Sequence, residues 1–190
     1  QLIEAKLIDA GEDVMIGTRD GMAIRFNESD VRVTGRSSMG VRGISLDADD
    51  EVIGMQKLSQ GDYVLVVSEK GMGKLTHVDE FKAQKRGGKG LHCYRITEKT
   101  GKLVGFKLTA KEREIMLITN EGVIIRMSLK DAKDIGRNTS GVKFMNIDPE
   151  SDTVIASIAK VRESTTEAYE AELAETETVP EDTEDAGEDN

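Results

Sequence analysis

The chain has 190 residues, with 36 acids against 26 bases, a formal net charge of -10, 4% aromatic residues, no tryptophan and one cysteine, Cys93. That length supports a hydrophobic core without covalent staples, while a lone cysteine excludes an intrachain disulfide, argues against a Cys-based metal centre and fits a reducing, intracellular setting. No apolar run approaches the roughly 18 residues of a membrane span and no charged-then-apolar leader opens the chain, so a soluble, cytoplasmic protein without a membrane partner is expected.

The negative charge is unevenly placed. From Glu163 to Asn190 there are 12 acids and no Lys or Arg, which leaves 24 acids against all 26 bases in the stretch up to Arg162. The body is near neutral and free to carry a basic stripe on one edge. Residues 163–190, rich in Glu, Thr and Ala, cannot bury enough apolar surface to fold and are predicted to be a disordered acidic tail.

Leu2–Leu7 opens the chain as a predicted strand that aligns with Leu103–Leu108, the final strand of a later unit. Residues 1–11 are therefore read as the last strand of a preceding blade, and the chain as part of a longer one. Three units follow, 12–58, 59–109 and 110–162. Gly21, Gly71 and Gly122 recur at spacings of 50 and 51, each after a β-type run: Val14–Thr18, Val64–Ser68 and Ile115–Thr119. A strand, a glycine turn and a second strand make a hairpin, because glycine supplies the positive φ such turns need. A third strand is predicted at Ile44–Leu46, Cys93–Ile96 and Phe144–Ile147, and a fourth at Val52–Met55, Leu103–Leu108 and Val154–Ile158. Four strands per unit, repeated, predict an all-β, propeller-like array of four-stranded blades.

Between the hairpin and the third strand each unit carries an Arg followed four residues later by Gly: Arg36 to Gly40, Arg86 to Gly90, and Arg137 to Gly141. The middle copy, Gln84-Lys85-Arg86-Gly87-Gly88-Lys89-Gly90, packs three cations and three glycines into seven residues. Glycines allow close backbone approach to a surface, and Lys and Arg neutralise phosphates, so the segment suits a polyanionic backbone. A solvated connector between strands is the alternative, and the spacing is wrong for a phosphate-gripping P-loop.

Gln84–Gly90 differs at one position, Lys85 for Arg, from the Gln-Arg-Arg-Gly-Gly-Lys-Gly box of the DNA gyrase A C-terminal domain, and the chain resembles that family over essentially all of 1–162. Asp30-Val31-Arg32 with Gly35-Arg36 to Gly43, and Gly136-Arg137-Asn138-Thr139 with Gly141-Val142, look like corresponding blade sequences, and the acidic tail is similar too. The resemblance implies a β-pinwheel whose basic rim wraps double-stranded DNA and so supports ATP-dependent negative supercoiling. The implied partners are the rest of the gyrase A protein and the gyrase B protein, in the bacterial cytoplasm at the chromosome. Because another unit follows it, Gln84–Gly90 is read as a box-like blade loop that some members carry in addition to the family's defining box.

The nominated phosphate contacts are Arg36 and Arg42 in the first unit, Lys85, Arg86 and Lys89 in the second, and Arg137 and Lys143 in the third. Arg25, Lys74 and Arg126 are weaker candidates, since a cation in a hairpin's second strand is often only a solvated face residue. Contacts of this kind are independent of base sequence. His77, His92 and Cys93 are read as ordinary strand or loop residues, and Asp47–Glu51 as a turn, because neither set completes a metal-ligand pattern. Tyr63, Tyr94 and Tyr169 lack the setting of the family's DNA-cleaving tyrosine, so no catalytic residue and no cofactor are expected. The tail either keeps the chain soluble or competes with DNA as a tethered phosphate mimic. The competing functions are the equivalent domain of topoisomerase IV and, from another class, a propeller-type protein-interaction platform. The Trp-Asp and Gly-Gly signatures of WD40 and kelch arrays are absent.

Overall fold

A computed structural model describes residues 2–161. The chain divides into two units, Gln1–Lys160 and Val161–Asn190; the predicted tail lies outside the described residues.

Among the described residues eleven strands form three sheets: β1 (Asp13–Thr18), β2 (Met22–Asn27), β3 (Val52–Lys57), β4 (Tyr63–Ser68), β5 (Met72–His77), β6 (Leu91–His92), β7 (Leu103–Thr109), β8 (Glu114–Thr119), β9 (Ile124–Ser128), β10 (Val142–Lys143) and β11 (Ile155–Lys160). The sheet orders are β3-β1-β2-β6, β10-β5-β4-β7 and β11-β8-β9. Each sheet is centred on a predicted hairpin, and the turn glycines Gly21, Gly71 and Gly122 adopt φ of +82°, +80° and +84°. The residue closing each first strand, Thr18, Ser68 or Thr119, turns its hydroxyl inward to accept the amide of Met22, Met72 or Val123 at 3.2, 3.3 and 3.1 Å. A buried hydroxyl at this place satisfies a turn donor that water cannot reach.

The outer edge strand of each complete sheet departs from expectation. Ile44–Leu46, Cys93–Ile96 and Phe144–Ile147 are not strands. The short strands lie just before the second and third of these stretches, and they pair with the preceding unit: β6 with β2 through Met22–His92 and Ala23–Leu91, and β10 with β5 through Gly73–Val142 and Met72–Lys143. Each of these sheets is thus completed by the following unit. The stretches themselves turn inward, and Ile44, Cys93, Tyr94 and Met145 are buried. β9 has no outer partner among the described residues, and its Ile124 and Ile125, with Val123 just before them, are exposed. Leu2–Leu7 also forms no strand. The Glu4 carboxylate, rather than a backbone ladder, accepts the Met55 amide on the edge strand β3 at 3.0 Å.

The apolar residues fill the spaces between sheets. Val64 and Val66 of β4 join Met15, Tyr94 and Phe106 on one side, while Leu65 and Val67 join Leu75, Leu117 and Ile155 on the other. Successive strand side chains point to opposite faces, so a strand packed on both sides must be apolar throughout, as Tyr63–Val67 is. Among the described residues no helix is long and apolar enough to cross a membrane.

Candidate nucleic-acid interface

The glycine-basic segments are the crossings that carry the chain from one unit to the outer edge of the one before. Gln84–Gly90 lies along the first sheet: the Gln84 amide donates to Arg25 O (2.8 Å), Gly87 N to Gly43 O (2.7 Å) and Ser45 N to Gly88 O (2.9 Å). Gly90, at φ +78°, lies so close to the Ala23 carbonyl that a Cβ would collide with it. Residues 135–142 repeat the arrangement on the second sheet, where Ile135 N donates to Leu75 O and Arg95 N to Thr139 O, both at 3.0 Å. The glycines predicted to approach a phosphate backbone therefore approach protein backbone first.

Cations recur at equivalent places along these crossings and the matching segment of the first unit, the ledge of each unit. Three positions recur at spacings of 50 and 51: Arg32, Lys82 and Lys133; Arg36, Arg86 and Arg137; Arg42, His92 and Lys143. The first and third sets are exposed throughout. Sequence reasoning misses the first set, although the spacing that picks out Arg36, Arg86 and Arg137 also marks it. Arg95 is a further exposed cation where the second and third units meet; its guanidinium donates to Asn138 O at 3.3 Å.

The nominated residues fall into distinct groups. Arg36, Arg42 and Lys85 are exposed on the ledge. Lys89 pairs with Asp47 at 2.6 Å, but both side chains are about two-thirds exposed (66% and 69%). Exposed pairs contribute little, so phosphate can displace Asp47. Lys143 donates to Asn146 Oδ1 at 3.0 Å from an exposed position. Arg86 and Arg137 are half-buried, and their guanidinium groups donate to backbone carbonyls of the preceding unit.

The weaker candidates fare differently. Lys74 is wrongly placed as a rim cation. It is fully buried, and its ammonium donates to Gly136 O (2.8 Å), Arg137 O (2.5 Å) and Thr139 Oγ1 (3.1 Å), with the Tyr94 ring 5.7 Å away. Burial, reinforced by the nearby Arg137 charge, lowers its pKa to about 8 despite the opposing influence of Cys93 and Glu80. Arg25 is bound to Asp13 at 2.7 Å and to Phe81 O at 3.3 Å, and Arg126 makes the matching cross-strand pair with Glu114. Cys93 is buried, which pushes its thiol up to about 12, so its chemistry is that of a core residue.

A family model described as the DNA gyrase C-terminal domain, beta-propeller, matches residues 12–59, 62–110 and 113–159. The chain belongs to that family. The DNA gyrase A protein of Ureaplasma parvum serovar 3 is 43% identical over 152 residues, which is 80% of this chain and 18% of that one. The chain spans about a fifth of the length of the gyrase A relatives it matches. Among solved structures, a DNA gyrase A C-terminal domain is 26% identical with a TM-score of 0.75, covering 82% of this chain and 52% of that one. The C-terminal domain of a DNA topoisomerase IV is 25% identical with a TM-score of 0.78, covering 90% and 53%. The domain is thus a member of the gyrase C-terminal β-propeller family in which the glycine-basic segment recurs in every unit.

Proposed function

We propose that this gyrase C-terminal domain binds duplex DNA along the ledge and wraps it, as a non-catalytic part of a type IIA topoisomerase working with the rest of the gyrase A protein and with the gyrase B protein in the bacterial cytoplasm. The observation that carries the reading is the recurrence of exposed cations at equivalent positions of consecutive units, beside crossings stitched to the neighbouring sheet. Bending a site of 20 to 30 base pairs costs on the order of 1 to 6 kcal/mol, and a row of phosphate contacts along a curved protein edge offsets that cost. Arg32, Lys82 and Lys133 join Arg36, Arg42, Lys85, Lys89 and Lys143 as the side chains facing the duplex.

Salt titration of duplex binding tests the reading. The logarithm of the affinity should fall linearly with the logarithm of salt concentration, by about 0.9 per phosphate neutralised, and replacing both Lys85 and Lys89 by Ala should flatten that slope by about 1.8. A wild-type affinity indifferent to salt would leave a protein-interaction platform as the better reading. The corresponding topoisomerase IV domain is a second reading, favoured by the likeness to that fold. An assay trapping the writhe of closed circular DNA separates the two, since gyrase-type wrapping leaves a writhe of definite sign.

A further inference from the structure

Arg86 and Arg137 sit fifty-one residues apart, and their acceptors, Arg42 O and His92 O, sit fifty apart, so the two contacts are one contact repeated. Arg86 Nη1 reaches Arg42 O at 2.5 Å while its Nε reaches Asp30 O at 3.1 Å; Arg137 Nη1 reaches His92 O at 3.1 Å. Beside each runs a second repeated tie, from the amide of Ser45 to Gly88 O and from that of Arg95 to Thr139 O. The carbonyls held in this way belong to the recurring ledge set Arg42 and His92, whose side chains face out.

We infer that Arg86 and Arg137 are positioning residues, staples that clamp each unit's ledge to the next and so set the path of the bound DNA, with Arg42 and His92 aimed through their backbones. The inference rests on the DNA-binding reading above. At Arg86 a guanidinium is required because one planar group must donate in two fixed directions, to Asp30 O and Arg42 O, while keeping its charge; Arg137 repeats the Nη1 contact, to His92 O. An ammonium on a flexible stem keeps the charge but not the fork. Lys85 and Lys89, by contrast, act as point charges toward phosphate. The staple fixes curvature and the lysines supply affinity.

The test compares Arg86→Lys, Arg137→Lys and Arg86→Ala with Lys85→Ala in the whole chain. Hydrogen exchange without DNA follows the amides of Ser45, Gly87 and Arg95, and energy transfer between dyes at the two ends of a duplex reports bending at saturating protein. The Lys variants should keep the salt slope within about half a unit of wild type, lose protection at those amides and leave the saturated duplex close to its free end-to-end distance. Lys85→Ala should flatten the slope and still bend DNA fully. Loss of global stability alone would not change the bend of a saturated complex below the melting temperature. If Arg86→Lys bends DNA and protects Ser45 like wild type, while Arg86→Ala flattens the slope by about 0.9, Arg86 is a phosphate ligand and the staple is wrong. A wild-type chain that leaves DNA straight would overturn the wrapping reading instead, and the exchange data would then decide the staple alone.

Discussion

Gly141→Ala asks whether the close approach of the crossing, beyond its backbone conformation, holds the outer strand on the second sheet. Gly141 lies at φ +71°, where an L residue costs ~1–2 kcal/mol. A Cβ there would stand 2.5 Å from the Gly73 carbonyl oxygen. Backbone cannot swing aside as a side-chain tip can, so β10 must lift from β5 and give up the Val142–Gly73 and Lys143–Met72 pairing. Two ladder bonds at ~1 kcal/mol net each bring the expected loss to ~3–4 kcal/mol. Gly40→Ala is the matched control: φ is +75°, but nothing lies within 4 Å of the added carbon, so only the ~1–2 kcal/mol backbone cost remains. Urea denaturation, with the m-value compared across variants, reads the difference. In thermal melts Gly141→Ala should fall ~4–8 °C below Gly40→Ala, at ~2–4 °C per kcal/mol for a chain of this size. Losses equal within ~0.5 kcal/mol would refute the close-approach argument, because β10 pairing alone is expected to contribute more than that.

Lys74→Ile removes the donor that holds Gly136 O, Arg137 O and Thr139 Oγ1, and should destabilise the chain by ~1–3 kcal/mol in denaturant titration. The junction of the first and second units has Ile24 and Gly88 where that of the second and third has Lys74 and Thr139, so adding Thr139→Gly should recover part of the loss; strictly additive effects would show the two positions to be uncoupled. Lys74 also predicts a pH dependence. Its folded pKa of about 8 lies below that of an unfolded lysine, so between those values the unfolded chain binds more protons and stability should rise with pH. The groups facing it are Cys93, Glu80, Arg137 and Tyr94. Wild type measured against Lys74→Ile should show that alkaline rise, and identical pH profiles would count against it.

The hairpins are legible in the sequence because a strand's partner lies just across a glycine turn, and alternation with a turn signal needs no tertiary knowledge. The fourth strands β3, β7 and β11 are legible as repeated apolar β-type runs, although their partners β1, β4 and β8 lie far back in the chain. The exchange of edge strands is not, since β6 pairs with β2 of another unit and no local pattern distinguishes Leu91–His92 from the apolar Cys93-Tyr94 that follows. At the ledge, charge is legible and direction is not: Lys85 and Arg86 are neighbours in sequence, yet one is exposed and the other holds two carbonyls. Lys74 is misplaced by sequence reasoning although a signal exists, because its counterparts Ile24 and Ile125 mark that position as apolar.

The units visible in the sequence and the sheets of the folded chain are out of phase by one edge strand. A cut between the first and second units would leave β2 without β6, exposing unpaired amides and carbonyls to chance pairing with another molecule. Gain or loss of a single unit during evolution would therefore succeed only where the newcomer brings its own glycine crossing to seal the neighbour before it. Selection on that crossing can act without any contact to a ligand.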